Sequence, residues 1–294
     1  MEREQGKSMT CYNHLKFLEN KIKFLLYIWF GCIGYCTFGA KVDTITTYTA
    51  AMKKDIKAVV ITPDQYEKAI PVVYLLHGYS GNYKSWISKV PSIEAYADQN
   101  QLMIVCPDGG YGSWYFDSLE QSDVRYETYI ISELIPWIDT HYNTIKNKTG
   151  RAITGFSMGG HGAFFLSFKH QDVFSIAGSM SGGVDLRPFP EKWNISKVLG
   201  TYAEHPDRWE NHSVINNTHF LTPSSLNLIF SCGVDDFFYE VNKKLHEKLL
   251  LNNIPHTFIS APGGHTWDFW ETTLKYHMEF IYTKFEQQIT TKIN

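Results

Sequence analysis

Ser157 stands at the centre of Gly155-Phe156-Ser157-Met158-Gly159. The apolar run Arg151-Ala152-Ile153-Thr154 precedes it and Gly160-His161-Gly162-Ala163-Phe164-Phe165-Leu166 follows. The pattern predicts a strand, a tight turn and a helix, with the hydroxyl at the apex. Glycines on both sides relieve the crowding of such a turn, because they bring no Cβ atoms into it. The apex also lies beside the first amides of a helix, where negative charge is favoured. An acyl-transferring serine needs this setting. A glycine-rich loop with a serine at a helix N-cap has the same spacing, so the partners must decide.

A serine hydroxyl is a weak nucleophile at neutral pH. It requires a base, and the base requires a group that holds its tautomer and supports its charge. Downstream, Cys232-Gly233-Val234-Asp235-Asp236-Phe237 places two carboxylates after the apolar run Leu226–Ser231. Further on, Ala261-Pro262-Gly263-Gly264-His265-Thr266-Trp267 places a histidine in a glycine-rich loop before a helix pattern. His246 and His277 fall within helix patterns and His256 opens a strand, so His265 is the candidate base. Asp236 is the candidate acid, with Asp235 left to cap the next turn or face solvent. A tetrahedral intermediate also needs two backbone donors for its oxyanion. The Met158 amide is one candidate. The Tyr79 amide, in the loop His77-Gly78-Tyr79-Ser80-Gly81, is the other.

These residues need a scaffold that gathers them. Continuous apolar runs at Val72–Leu76 and Leu102–Cys106 predict strands covered on both faces. Further strands are expected at Lys57–Ile61, at Arg151–Thr154, at Ser175–Ser179, over Leu226–Ser231 and at His256–Ile259. Helix patterns run from Val124 to Tyr142, with Pro136 expected to kink or break the first, from Tyr239 to Leu251 and from Trp267 to Phe285. Alternation of strands and helices predicts an α/β fold, with a doubly wound, mostly parallel central sheet flanked by helices. Ligands bind beyond the carboxyl ends of such strands, where every candidate above falls. The poorly periodic stretch from Gly182 to Ser225 is either a lid or pocket wall, or a surface excursion.

Composition narrows the class. A formal charge of −3 offers no basic footprint for nucleic acid. No zinc spacing, phosphate loop or dinucleotide fingerprint is present, so no metal or other cofactor is expected. Lys16, Lys21 and Lys23 precede an apolar run from Phe24 to Ala40 that ends in small residues. Residues 1–40 are therefore expected to be a secretory signal peptide, with an uncleaved membrane anchor and a buried helix as alternatives. Residues 41–294 form the second segment, whose Cys106 and Cys232 read as buried free thiols.

Leu75-Leu76-His77-Gly78-Tyr79-Ser80-Gly81, Ser113-Trp114-Tyr115, Glu133-Leu134-Ile135-Pro136, Gly155-Phe156-Ser157-Met158-Gly159-Gly160, Cys232-Gly233-Val234-Asp235-Asp236-Phe237 and Gly264-His265-Thr266-Trp267 occur in this order. Together they resemble the esterase D family, which includes S-formylglutathione hydrolases, tributyrin-type, feruloyl and acetylxylan esterases, and mycolyltransferases. The resemblance runs from about residue 45 to 285. It implies an α/β-hydrolase fold without a cofactor over 41–294, a nucleophile at Ser157, an acid at Asp236, a base at His265 and oxyanion amides at Tyr79 and Met158.

The expectation is a secreted or periplasmic serine carboxylesterase acting on small or polysaccharide-linked esters, such as acetyl or feruloyl esters. If the N-terminal segment is retained, the enzyme is held at a membrane with its catalytic domain outside the cytoplasm. Trp114, Trp193, Trp209 and Trp267 are candidate stacking surfaces for sugars or phenolics, with Trp114 and Trp267 the candidate substrate-binding residues. The alternatives are a mycolyltransferase-like acyltransferase, an S-formylglutathione hydrolase-like thioesterase, and a binding module on a hydrolase scaffold. Export weighs against the thioesterase, whose relatives are typically cytosolic.

Overall fold

A computed structural model describes residues 39–290. The expected leader lies almost wholly outside this range. Among the described residues, no helix is long and apolar enough to cross a membrane.

Eight strands form one sheet: β1 (Lys41–Thr49), β2 (Lys54–Thr62), β3 (Val72–Leu76), β4 (Met103–Pro107), β5 (Arg151–Gly155), β6 (Ile176–Met180), β7 (Asn227–Gly233) and β8 (His256–Ala261). Their spatial order is β1-β2-β4-β3-β5-β6-β7-β8. β1 pairs with β2, and β2 with β4, antiparallel. The remaining pairs are parallel. The chain moves outward from β3 in both directions, to β4 on one side and β5 on the other. The crevice beyond the carboxyl ends of β3 and β5 is therefore the topological switch point, where such sheets bind ligands.

The apolar runs behave as two-sided strands must. Val72, Tyr74 and Leu76 enter the core on one face of β3, while Val73 and Leu75 enter the core on the other. Met103 and Val105 alternate with Ile104 and Cys106 in the same way along β4. Helices α1 (Ser85–Lys89) and α2 (Ile93–Gln99) cover one face through Trp86, Ile93 and Ala97. The other face is covered by α3 (Tyr126–Thr128), α4 (Ile135–His141) and α5 (Met158–Lys169). α6 (Ile195–Leu199), α7 (Pro206–His212) and α8 (Tyr239–Leu251) pack on that same face. The last helix, α9 (Trp267–Thr290), returns to the first face through Phe269, Trp270 and Leu274.

Three features go beyond the sequence reading. β1 was not expected. It is an edge strand with one exposed face, so it lacks a continuous apolar run. Pro136 breaks nothing: helix runs through it, but as a π-helical stretch over Tyr129–Leu134 that joins α3 to α4. There the Ile135 N–H donates five residues back, to the Ile130 carbonyl. The wider turn accommodates a ring that lacks an N–H and crowds the preceding carbonyls. The segment from Gly182 to Ser225 is a packed wall. Ile195, Val198, Leu199, Trp209 and Val214 anchor it in the core that covers the sheet.

Candidate active site

β5 ends at Gly155 and α5 begins at Met158, which leaves Ser157 on a two-residue elbow. Its φ of 56° and ψ of −120° lie in a region that costs a non-glycine residue on the order of 1–3 kcal/mol. Two hydrogen bonds hold it there. The Ser157 N–H donates to the Met180 carbonyl at 2.9 Å, and the Ser157 carbonyl accepts the His161 N–H at 3.0 Å. Space also forces the choice of neighbour. A Cβ on Gly159 would lie 2.6 Å from the carbonyl oxygens of both Leu76 and His77, so only glycine lets α5 start this close to β3.

The loops after β7 and β8 bring the acid and the base. Asp235 N–H donates to the Gly263 carbonyl at 2.9 Å and Val234 N–H to the Ala261 carbonyl at 3.0 Å, knitting the two loops together. His265 Nδ1 lies 2.8 Å from Asp236 Oδ2, and His265 Nε2 lies 2.8 Å from Ser157 Oγ. Asp236 Oδ1 accepts the Phe238 N–H at 2.8 Å. The Asp236 side chain has no exposed surface, whereas Asp235 faces solvent. Burial and geometry thus single out Asp236. A carboxylate fixed on Nδ1–H leaves Nε2 as an acceptor for the serine proton.

Aromatic rings confine the imidazole. Phe237 lies 4.2 Å from His265 between ring centres, and Trp270 meets it edge-on at 4.9 Å. Trp193, from the packed wall, stacks on Phe237 at 5.2 Å. On the other side of the serine, Phe156 stacks on Trp270 at 4.3 Å and packs against Trp267 at 4.6 Å. Phe156, Trp267 and Trp270 line a groove of about 520 Å³ together with Tyr79, Lys84 and Lys89.

The amides of Tyr79 and Met158 have no acceptor among the described residues, which leaves both free for an oxyanion. The Tyr79 ring is tied down: its hydroxyl accepts from Asn194 Nδ2 at 2.7 Å, joining the loop after β3 to the wall.

Trp267 is partly exposed beside the groove. Trp114 is not the substrate-facing ring expected from the sequence. It is only 1% exposed and packs against His161 and Trp193, so it backs the wall and presents no face to a substrate. Trp209 is fully buried as well. Trp193, a stacking candidate from the sequence, packs on Phe237, which itself meets His265, whereas Asn194 reaches the site through the Tyr79 hydroxyl and no motif marks it, because that contact exists only once the wall has packed.

Other reactive side chains are disposed of by burial. Cys106 and Cys232 are buried and free, and burial pushes both thiols up, away from the thiolate. His277 sits under the elbow between Thr154 Oγ1 and Ser231 Oγ, each at 3.2 Å, and burial lowers its pKa to about 3. It is a neutral strut. Among the described residues, no cluster of potential ligands could hold a metal ion.

A mostly parallel sheet covered on both faces, a strained serine elbow after a middle strand, and an acid and a histidine on the loops after two later strands define an α/β-hydrolase. The family model "Esterase: Putative esterase" matches residues 49–281, and the chain belongs to that family. It is similar to Esterase Rv1288 of Mycobacterium tuberculosis, 29% identical over 235 residues, covering 70% of this chain and 51% of that protein. The chain thus spans about half of that relative's length. The diacylglycerol acyltransferase/mycolyltransferase Ag85B of Mycobacterium leprae is 26% identical over 282 residues, covering 80% of this chain and 82% of the relative. A solved ferulic acid esterase superposes with a TM-score of 0.74 at 25% identity, covering 85% of this chain and all of that one.

Proposed function

We propose that this protein is a serine carboxylesterase. The observation that carries the reading is the unbroken hydrogen-bonded chain from Ser157 Oγ through His265 to buried Asp236. Ser157 Oγ attacks the ester carbonyl as His265 Nε2 takes its proton. The carbonyl π pair moves onto oxygen, and the Tyr79 and Met158 amides receive that charge. The tetrahedral intermediate collapses, the C–O bond to the alcohol breaks, and His265 returns the proton to the departing oxygen. Water then repeats the sequence on the acyl-enzyme, with His265 as base, and releases the acid and free Ser157. Asp236 stays ionised and stabilises the imidazolium.

Acetyl or feruloyl esters of polysaccharides are the proposed substrates. The groove beside Ser157 has the size range of small-molecule sites, and its floor of Phe156, Trp267 and Trp270 offers flat apolar faces to a phenolic ring or a sugar. The likeness to a ferulic acid esterase supports the same reading. Export is proposed from the basic and apolar pattern of residues 1–40, and N-terminal sequencing of the mature protein tests it.

The test is fluorophosphonate labelling followed by peptide mapping, alongside turnover of nitrophenyl esters and of acetylated and feruloylated xylan. Label on the Ser157 peptide, with both label and turnover abolished in Ser157→Ala, is expected. Turnover that survives Ser157→Ala refutes the mechanism, and activity confined to short soluble esters refutes the polysaccharide assignment. Adding a sugar acceptor measures the partition between water and alcohol. Transfer outrunning hydrolysis would reassign the enzyme as an acyltransferase, the activity named for the Ag85B relative.

A further inference from the structure

The motif Ser113-Trp114-Tyr115 takes no part in the mechanism above, yet it lies behind the loop that carries the Tyr79 amide. Trp114 and Tyr115 both have positive φ, 54° and 61°, which is unfavourable for bulky side chains. Ser113 Oγ holds the turn by donating to the Gly109 carbonyl and accepting the Tyr115 N–H. The turn drives the Tyr115 ring inward, where it is fully buried. A Cβ on Gly109 would come within 2.4 Å of that ring and one on Gly162 within 2.5 Å, so the ring has a fitted seat between the loop after β4 and helix α5.

From that seat the Tyr115 hydroxyl grips the main chain of a single residue. It accepts the His77 N–H at 3.1 Å and donates to the His77 carbonyl at 3.1 Å. The His77 side chain continues the chain of contacts. Its Nε2 accepts the Gly109 N–H at 2.7 Å, which leaves the proton on Nδ1, and Nδ1–H donates to the Gly78 carbonyl at 2.8 Å. Gly78 C=O and Tyr79 N–H belong to one planar trans peptide and point in opposite directions. Holding that carbonyl therefore aims that N–H. Tyr115 sets the position of His77, and His77, together with the Gly81 N–H that donates to the same Gly78 carbonyl at 3.1 Å, sets the plane of the peptide that supplies an oxyanion donor.

We infer that Tyr115 and His77 are positioning residues for the oxyanion-binding amide of Tyr79. The inference rests on the esterase reading above. Oxyanion contacts act on the transition state rather than on the bound ester, so loosening the Gly78–Tyr79 peptide should reduce kcat and spare KM.

The experiment compares the full chain with Tyr115→Phe, and uses Tyr74→Phe as a control that also deletes a buried tyrosine hydroxyl. The Tyr74 hydroxyl has no hydrogen-bond partner among the described residues. With a nitrophenyl ester, Tyr115→Phe should lower kcat about 10- to 100-fold, somewhat less than outright removal of an oxyanion donor, with KM within about twofold. An aryl trifluoromethyl ketone, which adds Ser157 Oγ to form a tetrahedral alkoxide, should lose affinity by the same factor. Tyr74→Phe should change neither. If Tyr115→Phe does not fold, His77→Leu carries the test, since an alkyl side chain can neither accept the Gly109 N–H nor donate to the Gly78 carbonyl. The same drop in kcat and in ketone affinity is expected of it. An active wild-type enzyme whose folded variant keeps kcat within threefold, or loses kcat with ketone affinity unchanged, overturns the positioning role and leaves the esterase reading standing. A wild-type protein with no ester turnover overturns both.

Discussion

Asp236→Asn separates the two adjacent aspartates and tests the proton path atom by atom. The carboxylate accepts twice, from Phe238 N–H on Oδ1 and from His265 on Oδ2, each at 2.8 Å. An asparagine of the same shape must keep its oxygen toward the Phe238 N–H, because turning the NH₂ that way would oppose two donors in a buried site. The NH₂ then faces His265 Nδ1, which becomes an acceptor and sends the ring proton to Nε2. That nitrogen lies 2.8 Å from Ser157 Oγ and can no longer take its proton. A wrong tautomer in this arrangement costs about 10⁴-fold in rate. At 1.36 kcal/mol per decade that is about 5 kcal/mol of barrier. The assay is kcat/KM on a nitrophenyl ester at neutral pH, with thermal melting to show that the near-isosteric variant is folded. Asp235→Asn is the control. Asp235 contributes its main-chain N–H to Gly263, which the substitution leaves in place, and its side chain is exposed, so activity should stay within about twofold. An Asp236→Asn enzyme retaining more than a tenth of wild-type activity, or a deeper loss from Asp235→Asn, would show that the proton path is drawn wrongly.

Three further outcomes are expected. Gly159→Ala places a Cβ 2.6 Å from two main-chain oxygens of the β3 end, so α5 must withdraw from the sheet. Stability should fall by about 1–3 kcal/mol in urea melts, with a larger proportional loss of kcat as the elbow shifts; unchanged kcat would mean that the elbow tolerates displacement. Acid should destabilise the fold through His161 and His277, which burial holds neutral with pKa values of about 4 and about 3. Both lie below the unfolded value, so the unfolded chain binds more protons, and stability falls as pH drops below about 6.5 toward those values. Between pH 7 and 4.5 the two together cost on the order of 5 kcal/mol, and His277→Gln should remove about half of that slope in pH-dependent melts; an unaltered slope would rule His277 out as a source. Trp267→Ala should raise KM for feruloylated substrates several-fold while leaving nitrophenyl acetate turnover within about twofold. Equal losses on both would show that the ring supports the site and does not read the substrate.

The sequence alone determined the strands that are buried on both faces and the order of the chemical groups along them. Val72–Leu76 announces itself because a strand covered twice must be apolar at every position, and the serine elbow because only glycine fits beside it. Edge strand β1 escaped notice because one of its faces meets water, and the π-helical stretch before Pro136 because a wider turn leaves no period in composition. Folding buried Asp236, the aspartate preferred from the sequence, against His265, and folding alone decided that Trp114 turns inward. The same holds for the union of Tyr115, His77 and Gly78 behind one amide. Spacing along the chain assigns residues to loops. Burial and the pairing of every hidden donor with an acceptor choose between neighbours on the same loop, and both exist only once distant segments have met.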